Sequence, residues 1–276
     1  MSSYKVAAVP QFYLGGDSDG PQVKILHLTD MHLHVTYKVS RLAALVNQIN
    51  AEQPDLVVFT GDFLRWGTPM PQARAIGRIL SRIRAPLGKF AVRGNHDLRG
   101  DGRQVVQMFE EGGFRFLYNQ AVCIHIPWAG NAPFWVAGVD DAEFGLARIG
   151  FLRQLRQQPG FKLLLMHEPV VARFIPRGSA DLALAGHTHG GQIHLPKVER
   201  FWMPNFTGEL YHGFFHVKDA TLYVSAGLGE SALPVRLFCP PEMPLFHIQY
   251  PPLDAETGET TVDMNQIVQK SEYSMR

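Results

Sequence analysis

The chain has 276 residues, enough for one large domain or two small ones with a substantial core. Its 26 basic and 25 acidic side chains nearly cancel, so no global field marks a nucleic acid or another polyanion as partner, and 46% apolar residues describe an ordinary folded protein. The two cysteines, Cys123 and Cys239, exclude a disulfide framework and a zinc-finger spacing and point to a reducing compartment.

Residues 1–22 read as a loosely attached arm, with a Gly-Gly-Asp-Ser-Asp-Gly-Pro turn cluster at 15–21 and no signal peptide at its start. No segment approaches the roughly 20 apolar residues that cross a bilayer, so the cytoplasm or its membrane surface is the expected location. From Val23 strand and helix patterns alternate. Apolar run 26–29 leads into Asp30-Met31-His32; Ser40 then caps a helix with Leu42, Leu45, Val46 and Ile49 inward, followed by Pro54. Run 56–59 ends at Gly61-Asp62, before a second helix over 72–84 with Ile76, Ile79, Leu80 and Ile83 inward. Run 90–92 ends at Gly94-Asn95-His96-Asp97, and a third helix extends from near Asp101 to Gly112-Gly113. A strand over 134–139 stops at Asp140-Asp141, read as a turn; a fourth helix is predicted over 146–157. Run 163–166 stops at His167, and run 182–185 stops at Gly186-His187-Thr188-His189. This alternation predicts α/β layers. Beyond His189, short runs at 213–217, 221–225, 235–238 and 245–250 read as a second sheet packed on the first, and 251–276 as a polar tail, leaving 23–250 as the domain.

Asp30 and His32, two apart, share one side of an extended chain and can grip one ion. Taken singly, Asp-x-His and Gly-Asp are ordinary turn chemistry. The Gly94–Asp97 block is more telling, because three ligand or acid-base types rarely follow one another for structural reasons. Two imidazoles bracketed by glycines at 186–191 are more telling still. Together Asp30, His32, Asp62, Asn95, His167, His187 and His189 bring seven oxygen and nitrogen donors to strand ends, where loops of open α/β sheets converge. That is too many for one tetrahedral ion and suits two adjacent ones.

In order and spacing these blocks resemble the calcineurin-like metallophosphoesterase family: Asp-x-His, Gly-Asp, Gly-Asn-His-(Asp/Glu), His, then Gly-His-x-His. The resemblance implies a four-layer αββα sandwich of two mixed sheets flanked by helices. It also implies two divalent ions drawn from manganese, iron and zinc, with manganese favoured. One would take Asp30, His32 and His189, the other Asn95, His167 and His187, with Asp62 bridging. Two dications roughly 3.5–4 Å apart make a bridging hydroxide available to attack a phosphoester and offset the phosphoryl charge. His96 would stabilise the developing charge or protonate the leaving oxygen, and Asp97 would orient that imidazole.

The longer strings 185–196, 223–229, 234–236 and 240–242 look like those of a branch of small bacterial phosphodiesterases. That branch includes the chlamydial-type enzyme cleaving UDP-2,3-diacylglucosamine, which makes this lipid-linked nucleotide of lipid A synthesis the best substrate reading. The alternative is a broad-specificity phosphodiesterase acting on a nucleotide or another small diester; a non-catalytic metal-binding scaffold ranks below both. Nine basic residues lie between Arg65 and Arg103 against Asp97 and Asp101. Arg74, Arg78 and Arg82, four apart, form a stripe that reads as a solvated helix face or, failing that, as a contact for anionic lipid worth about 1 kcal/mol per residue. The apolar stretch 201–206 reads as core or loop packing or as an acyl-chain cleft.

Overall fold

The computed structural model describes residues 7–15, 20–34, 38–65, 70–99, 102–192, 204–205, 207, 209–230 and 236–250. The tail 251–276, most of the 201–206 stretch and the start of the amino-terminal arm lie outside them. Among the described residues twelve strands form two six-stranded sheets. The first contains β1 (Gln11–Leu14), β2 (Gln22–Leu28), β3 (Leu56–Phe59), β4 (Gly88–Ala91), β5 (Arg115–Phe116) and β12 (Leu245–Gln249), in the order β1-β12-β2-β3-β4-β5. The second contains β6 (Gln120–Ile126), β7 (Ala132–Gly138), β8 (Phe161–Leu165), β9 (Leu182–Ala185), β10 (Gly213–Val217) and β11 (Ala220–Val224), in the order β10-β11-β9-β8-β7-β6.

Strand alternation sorts the apolar residues into three cores. In β3, Leu56 and Val58 face the second sheet, where they meet Phe134, Val136, Leu163, Leu165, Leu182 and Leu184. Val57 and Phe59 face outward onto α1 (Val39–Ala51), α2 (Ala73–Leu80) and α4 (Gly102–Glu111), whose Leu42, Leu45, Val46, Ile49, Ile76, Leu80, Met108 and Phe109 cover them. Leu164, Ala183 and Ala185, on the outer face of the second sheet, pack under Leu152, Leu155, Val171 and Ala172. The result is the expected four layers of helix, sheet, sheet and helix.

The fourth layer differs from the expectation in kind. The segment expected to be an α-helix over 146–157 is a 3-10 helix, Gly150–Gln157, and Pro169–Phe174 is a second one. Its buried residues, Leu152 and Leu155, are three apart, the repeat of a helix with three residues per turn. Ser40 does not cap α1 but lies inside it, after an extended Lys38. The second helix stops at Leu80, ahead of the Ala85-Pro86 pair that disfavours helical backbone.

The sheets divide differently along the chain as well. The runs after His189 do not build a sheet of their own. β10 and β11 extend the sheet of β9, while β12 enters the first sheet antiparallel to β2 and parallel to β1. Residues 11–14 of the expected loose arm therefore form an edge strand, and Arg236–Phe238 forms no strand. Arg74 and Arg78 lie exposed on α2, and Arg82 lies exposed in the turn after it. Among the described residues no helix is long and apolar enough to cross a membrane.

Candidate metal centre

The parallel strands β2, β3 and β4 of one sheet and β8 and β9 of the other end at a common edge. Asp30 and His32 follow β2, Asp62 follows β3, His167 follows β8, and His187 and His189 follow β9. Asn95 and His96 follow β4 on the single turn α3 (Asn95–Leu98). Asp30, His32, Asp62, Asn95, His167, His187 and His189 are all buried, and five of them, Asp30, His32, Asp62, His187 and His189, have positive φ. Asp and His tolerate that conformation better than most non-glycine residues, but five of them in one site are uncommon, and the surrounding packing selects it. Two motif glycines are part of that packing. A methyl on Gly94 would overlap the Asp62 carboxylate, and one on Gly186 would overlap Thr29 Oγ1 and the Asp30 carboxylate.

Two clusters share this space. In one, His32 Nε2 and His189 Nε2 lie 2.9 Å apart, with Asp30 Oδ1 3.8 and 3.6 Å from them. In the other, His187 Nδ1 lies 3.2 Å from His167 Nε2, which is 3.2 Å from Asn95 Oδ1 and 3.3 Å from Asp62 Oδ2. Asp62 Oδ2 is also 3.5 Å from His32 Nε2, so the Asp62 carboxylate stands between the clusters.

The tautomers in the second cluster are set from outside. A carbonyl can only accept, so His167 donates Nδ1–H to Thr60 O at 2.7 Å, and His187 donates Nε2–H to Asn205 O at 2.6 Å. In the neutral imidazoles the nitrogens facing each other across 3.2 Å are then the unprotonated ones. Two lone pairs aimed at one point, beside a buried carboxylate, need a cation between them. Burial pulls the His167 imidazole down, but Asp62 and Asp30 outweigh it and hold its pKa well above the ordinary value, so in the absence of a metal ion Nε2 carries a proton toward Asp62, in the place that a bound cation would take. Burial lowers His187 and brings His189 down to about 3. Burial pushes Asp62 and Asp30 up, and the imidazoles of His167 and His189 respectively lead the opposing effects that leave both low. Such a set, mostly neutral imidazoles around ionised carboxylates, suits divalent metal, and its donors fall into groups whose ligand atoms lie within 4.8 Å of one another.

His96 Nε2 is 4.0 Å from Asp62 Oδ2, its ring edge-on to His32, and its side chain remains 13% exposed toward the cleft. Asp97 departs from the expectation that it orients His96. Its carboxylate accepts from the backbone N–H groups of Asp62 at 2.9 Å, Phe63 at 2.8 Å and Gly94 at 3.0 Å. The acid is wholly buried behind the loop, where main-chain donors outnumber side chains, so it ties the Asp62 turn to the Gly94 turn.

Several supports escaped the sequence reading. Glu143 accepts from Asn95 Nδ2 at 2.9 Å and so turns the amide oxygen toward His167. Asp140, read as a turn residue, pairs with Arg93 at 3.0 and 2.5 Å just before Gly94; its place at a strand end was the available signal. The loop 227–229 clamps the other side: Leu228 N–H donates to Thr29 O at 3.1 Å and Gly229 N–H to Asp30 O at 2.6 Å. Arg236 ties that loop through the carbonyls of Ala226 and Gly227, while Glu242 Oε1 accepts from Tyr223, Ser225 and Ala226.

The family model for calcineurin-like phosphoesterases matches residues 23–191. The metallophosphoesterase YkuE of Bacillus subtilis is 33% identical over 229 residues, covering 82% of this chain and 79% of that protein. The phosphodiesterase YaeI of Escherichia coli is 27% identical over 234 residues, covering 82% of each. Among solved structures, a 5'-nucleotidase precursor from Thermus thermophilus shares the fold, with a TM-score of 0.52 at 13% identity over 91% of this chain and 54% of that one.

Proposed function

Because this chain belongs to the calcineurin-like phosphoesterase family, we propose that it is a two-ion phosphodiester hydrolase. Asp30, His32 and His189 would hold one divalent ion, Asn95, His167 and His187 the other, and Asp62 both. The observation that carries this reading is the pair of preset imidazoles, His167 and His187, whose outer nitrogens donate to carbonyls and whose inner nitrogens face each other 3.2 Å apart beside Asp62. When bound, two dications supply Lewis acidity toward the phosphoryl oxygens and lower the pKa of water.

The chain's own residues do the rest. Asp97 ties the main chain at Asp62 to that at Gly94, and the His96 backbone N–H donates to the Asp62 carboxylate across 2.8 Å. The His96 imidazole sits at the open side of the cleft. Burial lowers its pKa to about 4, outweighing the Asp62 charge, so it meets the substrate as a neutral N–H donor aimed at developing phosphoryl charge. That favours charge stabilisation over protonation of the leaving oxygen.

The likeness to YaeI supports a phosphodiester as substrate class. UDP-2,3-diacylglucosamine, manganese as the working metal, and contact of the exposed Arg74-Arg78-Arg82 stripe with anionic membrane are the narrower readings. Metal analysis of gently purified protein, with turnover of bis(p-nitrophenyl) phosphate and of UDP-2,3-diacylglucosamine under manganese, tests all but the last. His96→Ala is expected to keep its metal and lose about 100- to 10,000-fold in turnover. Protein that takes up no metal, or turns over neither diester, sinks the hydrolase; metal loss in His96→Ala makes that residue a ligand instead.

A further inference from the structure

Arg99 closes α3, its backbone N–H bonded to His96 O at 3.3 Å. Glu143 divides its carboxylate between this residue and a candidate metal ligand. Oε2 accepts from Asn95 Nδ2 at 2.9 Å, and Oε1 accepts from the Arg99 guanidinium at 2.5 Å. The guanidinium therefore stands one carboxylate away from Asn95. It stands near His96 as well. Burial lowers that imidazole, Asp62 opposes the shift, and the Arg99 charge is among the effects that add to the lowering. The Arg99 side chain is 35% exposed.

Two other arginines near the centre are spent on the protein itself. Arg93 forks onto Asp140 through Nε and Nη2, with its face over the Tyr118 ring. Arg236 donates to the carbonyls of Ala226 and Gly227. Arg99 is held differently. Because the second oxygen of Glu143 is committed to Asn95, the carboxylate engages Arg99 through a single nitrogen and orients it without forming a fork. A guanidinium carries five N–H donors in a plane that matches oxyanions. The one negative charge of a phosphodiester is answered by the ligand set and His96; a cation beyond them answers a second charge.

Resting on the hydrolase reading above, we propose that Arg99 is a specificity contact for a second oxyanion, a phosphate or carboxylate on the substrate's substituent that extends past His96. Glu143 sets the guanidinium, and the guanidinium takes that oxyanion in a charge-assisted contact. The enzyme thereby favours diesters that carry a further negative charge over singly charged ones.

The test compares p-nitrophenyl propyl phosphate with the nearly isosteric p-nitrophenyl 2-carboxyethyl phosphate on manganese-loaded protein. The 2-carboxyethyl ester is expected to show about tenfold higher kcat/KM. Because Arg99 is partly exposed, that preference should shrink severalfold between about 0.01 and 1 M salt, a readout that needs no variant. Arg99→Gln should bring the ratio to about one through a loss of about tenfold on the charged ester, with bound metal unchanged. Arg99→Lys, which keeps the charge without the fork, should retain a preference of about threefold. Equal kcat/KM for the two esters, a preference indifferent to salt, or a ratio that survives Arg99→Gln overturns the inference and leaves the hydrolase standing. Metal loss in Arg99→Gln, or an equal fall on both esters, would make Arg99 a brace for Glu143 and Asn95 and overturns it too. No turnover of the propyl ester overturns the hydrolase reading and this inference with it.

Discussion

The two halves of the candidate metal centre are built to different standards of rigidity. In the half formed by Asn95, His167 and His187, each side chain is oriented by a partner behind it: Glu143 for the amide, Thr60 O and Asn205 O for the imidazoles. In the half formed by Asp30, His32 and His189, the remote nitrogens of both imidazoles are buried without a hydrogen-bond partner among the described residues. Order there comes from Asp30, whose carboxylate accepts from Thr29 Oγ1 at 2.8 Å and from the His187 N–H at 2.9 Å, and from the backbone. All three residues have positive φ, and the 227–229 loop, tied down by Arg236 and Glu242, presses on Asp30. The halves differ in their imidazoles: those of His167 and His187 have second partners, while those of His32 and His189 are held by packing and main chain alone, and a partner behind the ring is the tighter way to fix a ligand.

Three measurements would break or sharpen that contrast. The largest effect belongs to Asp97, because Asp62 is common to both halves. Asp97→Ala leaves four buried N–H groups, those of Asp62, Phe63, Leu64 and Gly94, without this acceptor, and a loss of about 3 kcal/mol or more in denaturant unfolding is expected, with weakened metal binding in both halves. Unchanged stability would mean the loop holds itself. Next, chelator titration of the metal-loaded protein should release metal in two steps about tenfold apart, at least the lower bound for lost support behind a ligand. His189→Ala should abolish the weaker step and spare the stronger. A single step, or loss of the stronger one, would sink the comparison.

The smallest effect is a pH dependence. Burial raises Glu242, but His212 and the donors from Ala226 and Tyr223 outweigh it and hold the carboxyl below its ordinary value. A depressed folded-state pKa contributes stability that is present above the unfolded value and is lost as pH falls through the folded one. The gap in Tm between the native chain and Glu242→Gln should therefore narrow as the medium is acidified from about pH 6 through the ordinary glutamate range. A gap that stays constant over that range would remove Glu242 as an ionised support of the Asp30 clamp.

Much of the site was legible because its residues cluster in short blocks. Gly94-Asn95-His96-Asp97 and Gly186-His187-Thr188-His189 each carry, within four residues, both the donors and the glycine that lets another ligand approach. The supports were less so. Glu143, Asp140 and Glu242 reach their partners across 48, 47 and 16 positions, and a lone carboxylate in a loop has no local pattern to announce it. Asp97 was found but misread, since adjacency to His96 in the chain says nothing about which way a side chain turns on a one-turn helix.

By itself the sequence determined the strands that carry the candidate ligands, the ends at which those ligands stand and the donors they deliver. Those follow from local rules: runs of apolar residues make buried strands, and each run here stops at a polar block. Tertiary structure alone decided that β12 crosses back into the first sheet, that residues 11–14 pair beside it, that 150–157 winds as a 3-10 helix, and that the Cys239 thiol donates to the His189 carbonyl. Each of these is a contact between segments far apart in the chain or a choice between nearly equal local conformations. Such choices are made by packing, to which hydrophobic periodicity along one segment is blind.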